Sequence, residues 1–423
     1  MVSRIPAWIA GAVFLGGLPL SEAAAQADSG ISRQDVERGV TVTSRQRRDY
    51  NPLGVRLGGF TLNGQIDGGP GYDSNLEGTK TNKKSDGFMD EAAAVTLDSD
   101  WTRHGVGISG NMDSRQYFTN NGYNWVDWDL GGYGRYDFDA RTNTEARYRH
   151  YRDHLDVYSV DVQSAGITRP VPYDSDEFQV SGTTQFGRVG LLGTGMHRTY
   201  RFQDVVIGGV PNRVSLNDFD TTIGALGTSY AFSQGRYANV IFRVQDINLP
   251  ETGIAGSRQL HLGGAGRLHL RFRRSLARAH RLWLAGARLQ GSRSEELCRA
   301  CRGRPIDLGA DPVDHGPAER RPDHRESIRV DAVSFYRTLG AVGVDHELKR
   351  NIILSADFRA DYREYQSPNQ TAFDGVFTAT ARYLINRNLS VVGTYAYSRR
   401  FEATNGLSEF DRNLFQVRLR VAL

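Results

Sequence analysis

Charged residues recur at every second position in two parts of this chain. Asp129, Arg135, Asp137, Glu145, Arg147 and Arg149 form one set; Asp357, Arg359, Asp361, Arg363, Arg382, Arg418 and Arg420 form the other. Acids and bases mixed along one face do not make or break bonds. They set a field, and along a wet passage a field gives a weak preference among ions and polar solutes.

The residue types that carry turnover are scattered. Gly187-Arg188-Val189-Gly190 suits a tight turn rather than a phosphate loop. Asp345-His346-Glu347 could hold a metal or supply a base, but beside a short turn it reads as a solvated strand end. There is no G-x-S-x-G elbow. The sequence therefore predicts no catalytic set, no cofactor and no enzyme.

Side chains at i, i+2 and i+4 share a face only in a strand. In Asp411 to Leu423, Phe415, Val417, Leu419, Val421 and Leu423 point one way, and Gln416, Arg418, Arg420 and Ala422 the other. Fourteen segments read like this, near 53–68, 91–102, 105–118, 126–139, 142–157, 177–187, 189–203, 217–232, 236–248, 333–346, 350–365, 371–385, 388–401 and 411–423. Short connections such as Asp139-Ala140-Arg141 and Asn386-Arg387-Asn388 alternate with longer ones at 69–90, 119–125, 158–176, 204–216, 366–370 and 402–410. Long outer loops alternating with short inner turns, and strands with one oily and one charged face, fit a sheet with lipid on one side and water on the other. Tyr148, Tyr383, Tyr395, Tyr397, Trp101 and Trp128 are expected in the interfacial girdles.

The N-terminus reads as a secretory leader over 1–27. Arg4 precedes the short apolar stretch Ile5 to Leu20, and Ala25-Gln26-Ala27 is the cleavage signal. Residues 28–50 are polar and basic, an expected periplasmic arm, and 51–423 form the barrel. No later run is apolar and long enough for a membrane helix.

The pattern breaks at 257–329. That segment holds 16 Arg, no Lys and 8 Asp plus Glu, a net of +8, together with both cysteines and five of the ten histidines. Three readings compete. It is a basic insert for nucleic acid or an anionic sugar; or a zinc site at Cys298 and Cys301 with His315 and His324; or a stretch translated out of frame. With GC-rich codons, shifting the frame by one base turns DPVDHGPAERRPDHR (311–325) into a permitted TPLTTVQLNAGRTIE, which alternates like a strand. The sequence favours the frameshift. A restored frame adds room for four strands, about 18 in all, a number that leaves an aqueous lumen.

Four phrases then carry a family resemblance: RDYNPLGVRLGGFTLNGQIDGGPGYDSN (48–75), LDSDWTRHGVGISG (97–110), LGAVGVDHELKRNIILSADF (339–358), and YLINRNLSVVGTYAYSRR with the terminal strand (383–423). With them the chain resembles the "putative beta-barrel porin 2" family of bacterial outer-membrane proteins, over nearly all of its mature length outside 257–329. The resemblance implies an outer-membrane pore or export component and carries over no catalytic residue.

The expectation is thus an all-β, transmembrane, antiparallel up-and-down β-barrel in the bacterial outer membrane. It would act as a passive channel for small hydrophilic solutes or, alternatively, in exopolysaccharide export or surface attachment. Expected partners are outer-membrane lipid, the barrel-assembly machinery, small hydrophilic solutes, and periplasmic or polysaccharide partners reached through 28–50. Nucleic acid is not expected.

Overall fold

The structure is a computed structural model that describes residues 42, 47, 49–207, 210–233, 236–248, 258–269, 319–323, 335–366 and 369–423. The strands, in order, are β1 (Val55–Leu57), β2 (Phe60–Asp73), β3 (Asp86–Ser99), β4 (Gly105–Tyr117), β5 (Trp125–Asp137), β6 (Asn143–Leu155), β7 (Val171–Phe186), β8 (Val189–Phe202), β9 (Val205–Ile207), β10 (Val210–Asn212), β11 (Phe219–Ser233), β12 (Arg236–Asn248) and β13 (Arg258–His269). They continue with β14 (Glu319–Asp323), β15 (Phe335–Lys349), β16 (Ile352–Gln366), β17 (Asn369–Leu384), β18 (Leu389–Ala403) and β19 (Phe410–Ala422). One helix, α1 (Val160–Ser164), lies between β6 and β7. Among the described residues no helix is long and apolar enough to cross a membrane.

Each long strand pairs antiparallel with its sequence neighbours, and β8 pairs with β11 across the small β9–β10 hairpin. The wall is joined through β19 and β2, where Leu419 faces Gly68, Arg420 faces Asp67 and Val421 faces Ile66. This is the predicted up-and-down arrangement, and each of the fourteen strands read from the sequence has its counterpart.

The alternation sorts as lipid outside and polar groups inside. Leu226 (68 % exposed), Ile66, Ile108, Leu130, Phe186 and Val342 stand on the outer face. The one-residue-offset positions turn inward and are mostly polar. Of the expected girdle residues, Tyr148, Tyr383, Tyr395, Trp101 and Trp128 are exposed and Tyr397 is half-buried. A groove of about 470 Å³ includes Ile108, Gly132, Gly134, Tyr148 and Phe178. These are outward positions, so this groove belongs to the lipid side.

Several boundaries differ from the sequence reading. The first outer loop spans 74–85 rather than 69–90, because β2 runs on to Asp73 and β3 starts at Asp86. β7 starts at Val171 rather than 177. The β7 extension carries polar residues on both faces, Asp174 and Asp176 opposite Ser175, and the β2 and β3 extensions are interrupted by glycine and proline, so periodicity of hydrophobicity does not mark them. The anomalous segment contributes two described strands: β13 pairs with β12 from Arg258 opposite Asn248 to His269 opposite Tyr237, and β14 pairs with β15. The leader, most of the 28–50 arm, Cys298, Cys301, His315, His324 and any further strand in 270–318 lie outside the described residues.

Candidate channel interior

The inner wall is a field of acid–base pairs set by strand register. Arg149 Nη2 donates to Asp129 Oδ1 at 2.8 Å, Arg147 Nη2 to Glu145 Oε1 at 2.9 Å, and Arg135 Nε lies 3.2 Å from Asp137. Asp361 takes Arg359 at 3.2 Å and Arg363 at 3.0 Å. Arg420 reaches Asp67 across the β19–β2 junction, Nε to Oδ1 at 2.7 Å. Arg418 (2 % exposed) and Arg382 face inward on β19 and β17, and Asp357 on β16. The expected residues thus share the interior, but most are neutralised on their own stretch of wall. They do not form one acidic row opposite one basic row.

Sequence reasoning missed the strongest pairs, because each depends on register. Arg115 and Asp90 are both almost fully buried and bind in a fork, at 2.9 and 3.0 Å. Asp73 accepts from Arg412 Nε at 3.0 Å, from the Tyr117 hydroxyl at 3.0 Å and from Asn75 N at 3.0 Å. Arg198 pairs with Glu177. At the inner end, Arg47 donates to Glu347 Oε2 at 2.9 Å, and Asp345 accepts from Ser355. Asp345 and Glu347 are therefore engaged, while the alternation puts His346 on the outward side.

The main feature of the outer mouth is the segment between β6 and β7, residues 156–170. A loop lying in water has no use for apolar side chains, yet Val157, Val160, Val162 and Ile167 are all buried here. Ser159 caps α1 by accepting from Val162 N at 3.1 Å, and Gly166 ends it with φ +69°. Val162 and Ile167 pack on Tyr151, Tyr173 and Phe202 of the near wall. Val160 packs on Tyr365 and Ala372, which belong to β16 and β17. Those strands are separated from β6 by β2 to β5 and by β19 and β18. The segment therefore crosses the mouth.

Polar contacts hold the crossing in place. Arg400 (2 % exposed) donates to Asp374 at 2.6 and 3.0 Å, to Gln163 Oε1 at 2.6 Å and to the Tyr158 carbonyl at 2.8 Å. The Tyr158 hydroxyl donates to the Asn75 carbonyl at 2.7 Å, and the Arg412 guanidinium lies 4.2 Å from the Tyr158 ring centroid. Ser164 donates to Gln370 at 3.2 Å. Outer loop 74–85 is itself tied down: Leu76 is buried with Phe88, Tyr117 and Leu414, and Glu77 accepts from Lys84 at 2.7 Å and from the Tyr123 hydroxyl at 2.6 Å. Those two bonds, Lys84 first, hold the Glu77 carboxyl below the usual carboxylate range. The available sequence signals for the crossing were the Ser159 cap, the Gly166 stop and four apolar residues in a connection between strands.

Comparison with known proteins agrees with this architecture. The family model described as "Putative beta-barrel porin 2" matches residues 48–236 and 326–423. The unmatched stretch between them contains most of the anomalous basic segment. Among curated proteins nothing matches. Similar solved structures include a "Bacterial polysaccharide outer membrane secretin", 10% identical, with 86% of this chain and 98% of that chain covered and a TM-score of 0.37. OmpT of Vibrio cholerae is 8% identical, with 88% and 100% covered and a TM-score of 0.33. The siderophore receptor PirA from Pseudomonas aeruginosa is 10% identical, with 88% and 81% covered and a TM-score of 0.40. The family match covers most of the chain: it belongs to the putative beta-barrel porin 2 family and is a β-barrel of the bacterial outer membrane.

Proposed function

We propose that the chain is a passive channel for small hydrophilic solutes, narrowed at its outer mouth by residues 156–170. The observation that carries this reading is the crossing segment itself, fixed to the far wall through Arg400. A segment so placed reduces the aperture without closing a binding pocket. The paired inner wall supports the same reading, since it holds little net field and so would select weakly by charge and mainly by size. No turnover is involved.

One observation favours polysaccharide export as a second reading. Inward aromatic rings succeed one another across β6, β7, β8 and β11: Tyr151 to Tyr173 at 6.2 Å, Tyr173 to Tyr200 at 5.8 Å, and Tyr200 stacked on Phe219 at 4.4 Å. Sugar rings slide on such rows. Here Tyr151 and Tyr173 are covered by the crossing segment, so half of the row serves as its anchor.

Planar-bilayer recording of the refolded chain separates the two readings. The channel reading expects stepwise ohmic conductance that neutral oligosaccharides do not block. Block by oligosaccharide, removed by Tyr200→Ala, favours export.

A further inference from the structure

At the root of the crossing segment, where β6 ends, three side chains converge. The ligand atoms of Asp127, Asp153 and His154 all lie within 4.8 Å of one another. His154 Nδ1 is 2.9 Å from Asp127 Oδ2 and 4.0 Å from Asp153 Oδ1. The ring is 3 % exposed and stacks on Trp125, with centroids 4.7 Å apart and planes 25° apart, so its direction is fixed. Its other nitrogen, Nε2, is buried without a hydrogen-bond partner and lies 3.7 Å from Asp156 Oδ1. That distance is too long for a hydrogen bond, so Asp156 adds a third carboxylate beside the ring, on the side away from Asp127 and Asp153.

The charge balance points the same way. Asp113 stands opposite Asp127 in the β4–β5 register, and its Oδ1 is likewise buried without a hydrogen-bond partner. Asp127, Asp153 and Asp156 thus gather around a single imidazole. Arg418 and Arg115 act on Asp113 rather than on these three carboxylates, and Arg149 is paired with Asp129. Even a protonated His154 leaves an excess of negative charge. Such an excess away from bulk water calls for a counter-cation.

We propose that Asp127, Asp153 and His154 bind one divalent cation of the borderline class that accepts carboxylate and imidazole together, with zinc as its representative. Asp127 and Asp153 are about one-fifth exposed, at 23% and 22%, so an ion and its remaining waters can reach the site from the interior. Because β6 leads from this site into residues 156–170, the bound ion would stiffen the root of the crossing. The proposal goes beyond the channel reading and is read without conductance.

The test is calorimetric titration of zinc, with calcium and magnesium as comparators, into the refolded full chain in detergent. Cys298, Cys301, His315 and His324 could also take zinc, so the background is the Cys298→Ser/Cys301→Ser chain. One zinc per chain should bind, at least tenfold more weakly in Asp153→Asn and unchanged in Glu145→Gln. Folding of each variant is read from its heat-modifiable gel migration, and His154→Gln serves if Asp153→Asn does not fold. Absence of stoichiometric binding, or equal binding by a folded Asp153→Asn or His154→Gln chain, overturns the proposal.

Discussion

Arg400 on β18 and Asp374 on β17 form a two-point ion pair, and the remaining donors of the same guanidinium hold Gln163 and the Tyr158 carbonyl of the mouth segment. One side chain thus fastens the crossing to the far wall. Arg400→Ala should raise single-channel conductance and the solute size limit, because only Val160 and the Ser164–Gln370 bond would still hold the far end. It also leaves the half-buried Asp374 without its counter-charge, at a cost on the order of 2 kcal/mol. Conductance and denaturant midpoint measured on one preparation check both effects; an unchanged size limit would count against the latch.

Asp73 gathers Arg412, Tyr117 and the Asn75 amide beside the β19–β2 junction. Asp73→Ala strands a buried guanidinium, and about 3–5 kcal/mol should be lost. The readout is the temperature at which the folded gel band converts to the unfolded one, expected to fall clearly below that of the parent.

Gly69 sits where the β19–β2 ladder skips its pairs beside Pro70. A Cβ at Gly69 would press into the Val417 carbonyl oxygen. Gly69→Ala should cost on the order of 1–3 kcal/mol and lower the yield of inserted protein. Gly195→Ala, where an added Cβ meets nothing, is the control.

Glu77 has its carboxyl held low by Lys84 and Tyr123. A depressed value means the stabilisation is complete above the unfolded glutamate value, about 4.3, and is lost as pH falls through the folded one. Protease protection of residues 74–85 should therefore weaken in acid. Glu77→Gln should weaken it at neutral pH and flatten its pH dependence; a parent-like acid transition in that variant would contradict the assignment.

The family match stops at 236 and resumes at 326. Resequencing the coding DNA across codons 250–335 should show a strand-like reading in another frame. If no frame offers one, the basic segment is a genuine insert.

The strands were legible in the sequence because lipid imposes a period of two on the outer face, as in Phe415 to Leu423. Legibility ended where lipid ends. Tyr173-Asp174-Ser175-Asp176 is a strand with polar groups on both faces, and nothing in its composition says so. The inward residues were legible by parity, but their partners were not: Arg420 meets Asp67 from 353 residues away, and only register decides that. The crossing segment was read as an ordinary loop. Its four buried valine and isoleucine side chains were the overlooked signal, and Asp127 and His154 were missed because the β4–β6 register brings them together.

The central claim is a water-filled passage narrowed by residues 156–170. The most direct measurement is single-channel conductance in planar bilayers with Ser164→Cys/Gln370→Cys, compared before and after reduction. The account predicts stepwise conductance in both states, larger and noisier when the tether is reduced in an Arg400→Ala background. A correctly inserted chain that conducts in neither state would contradict it.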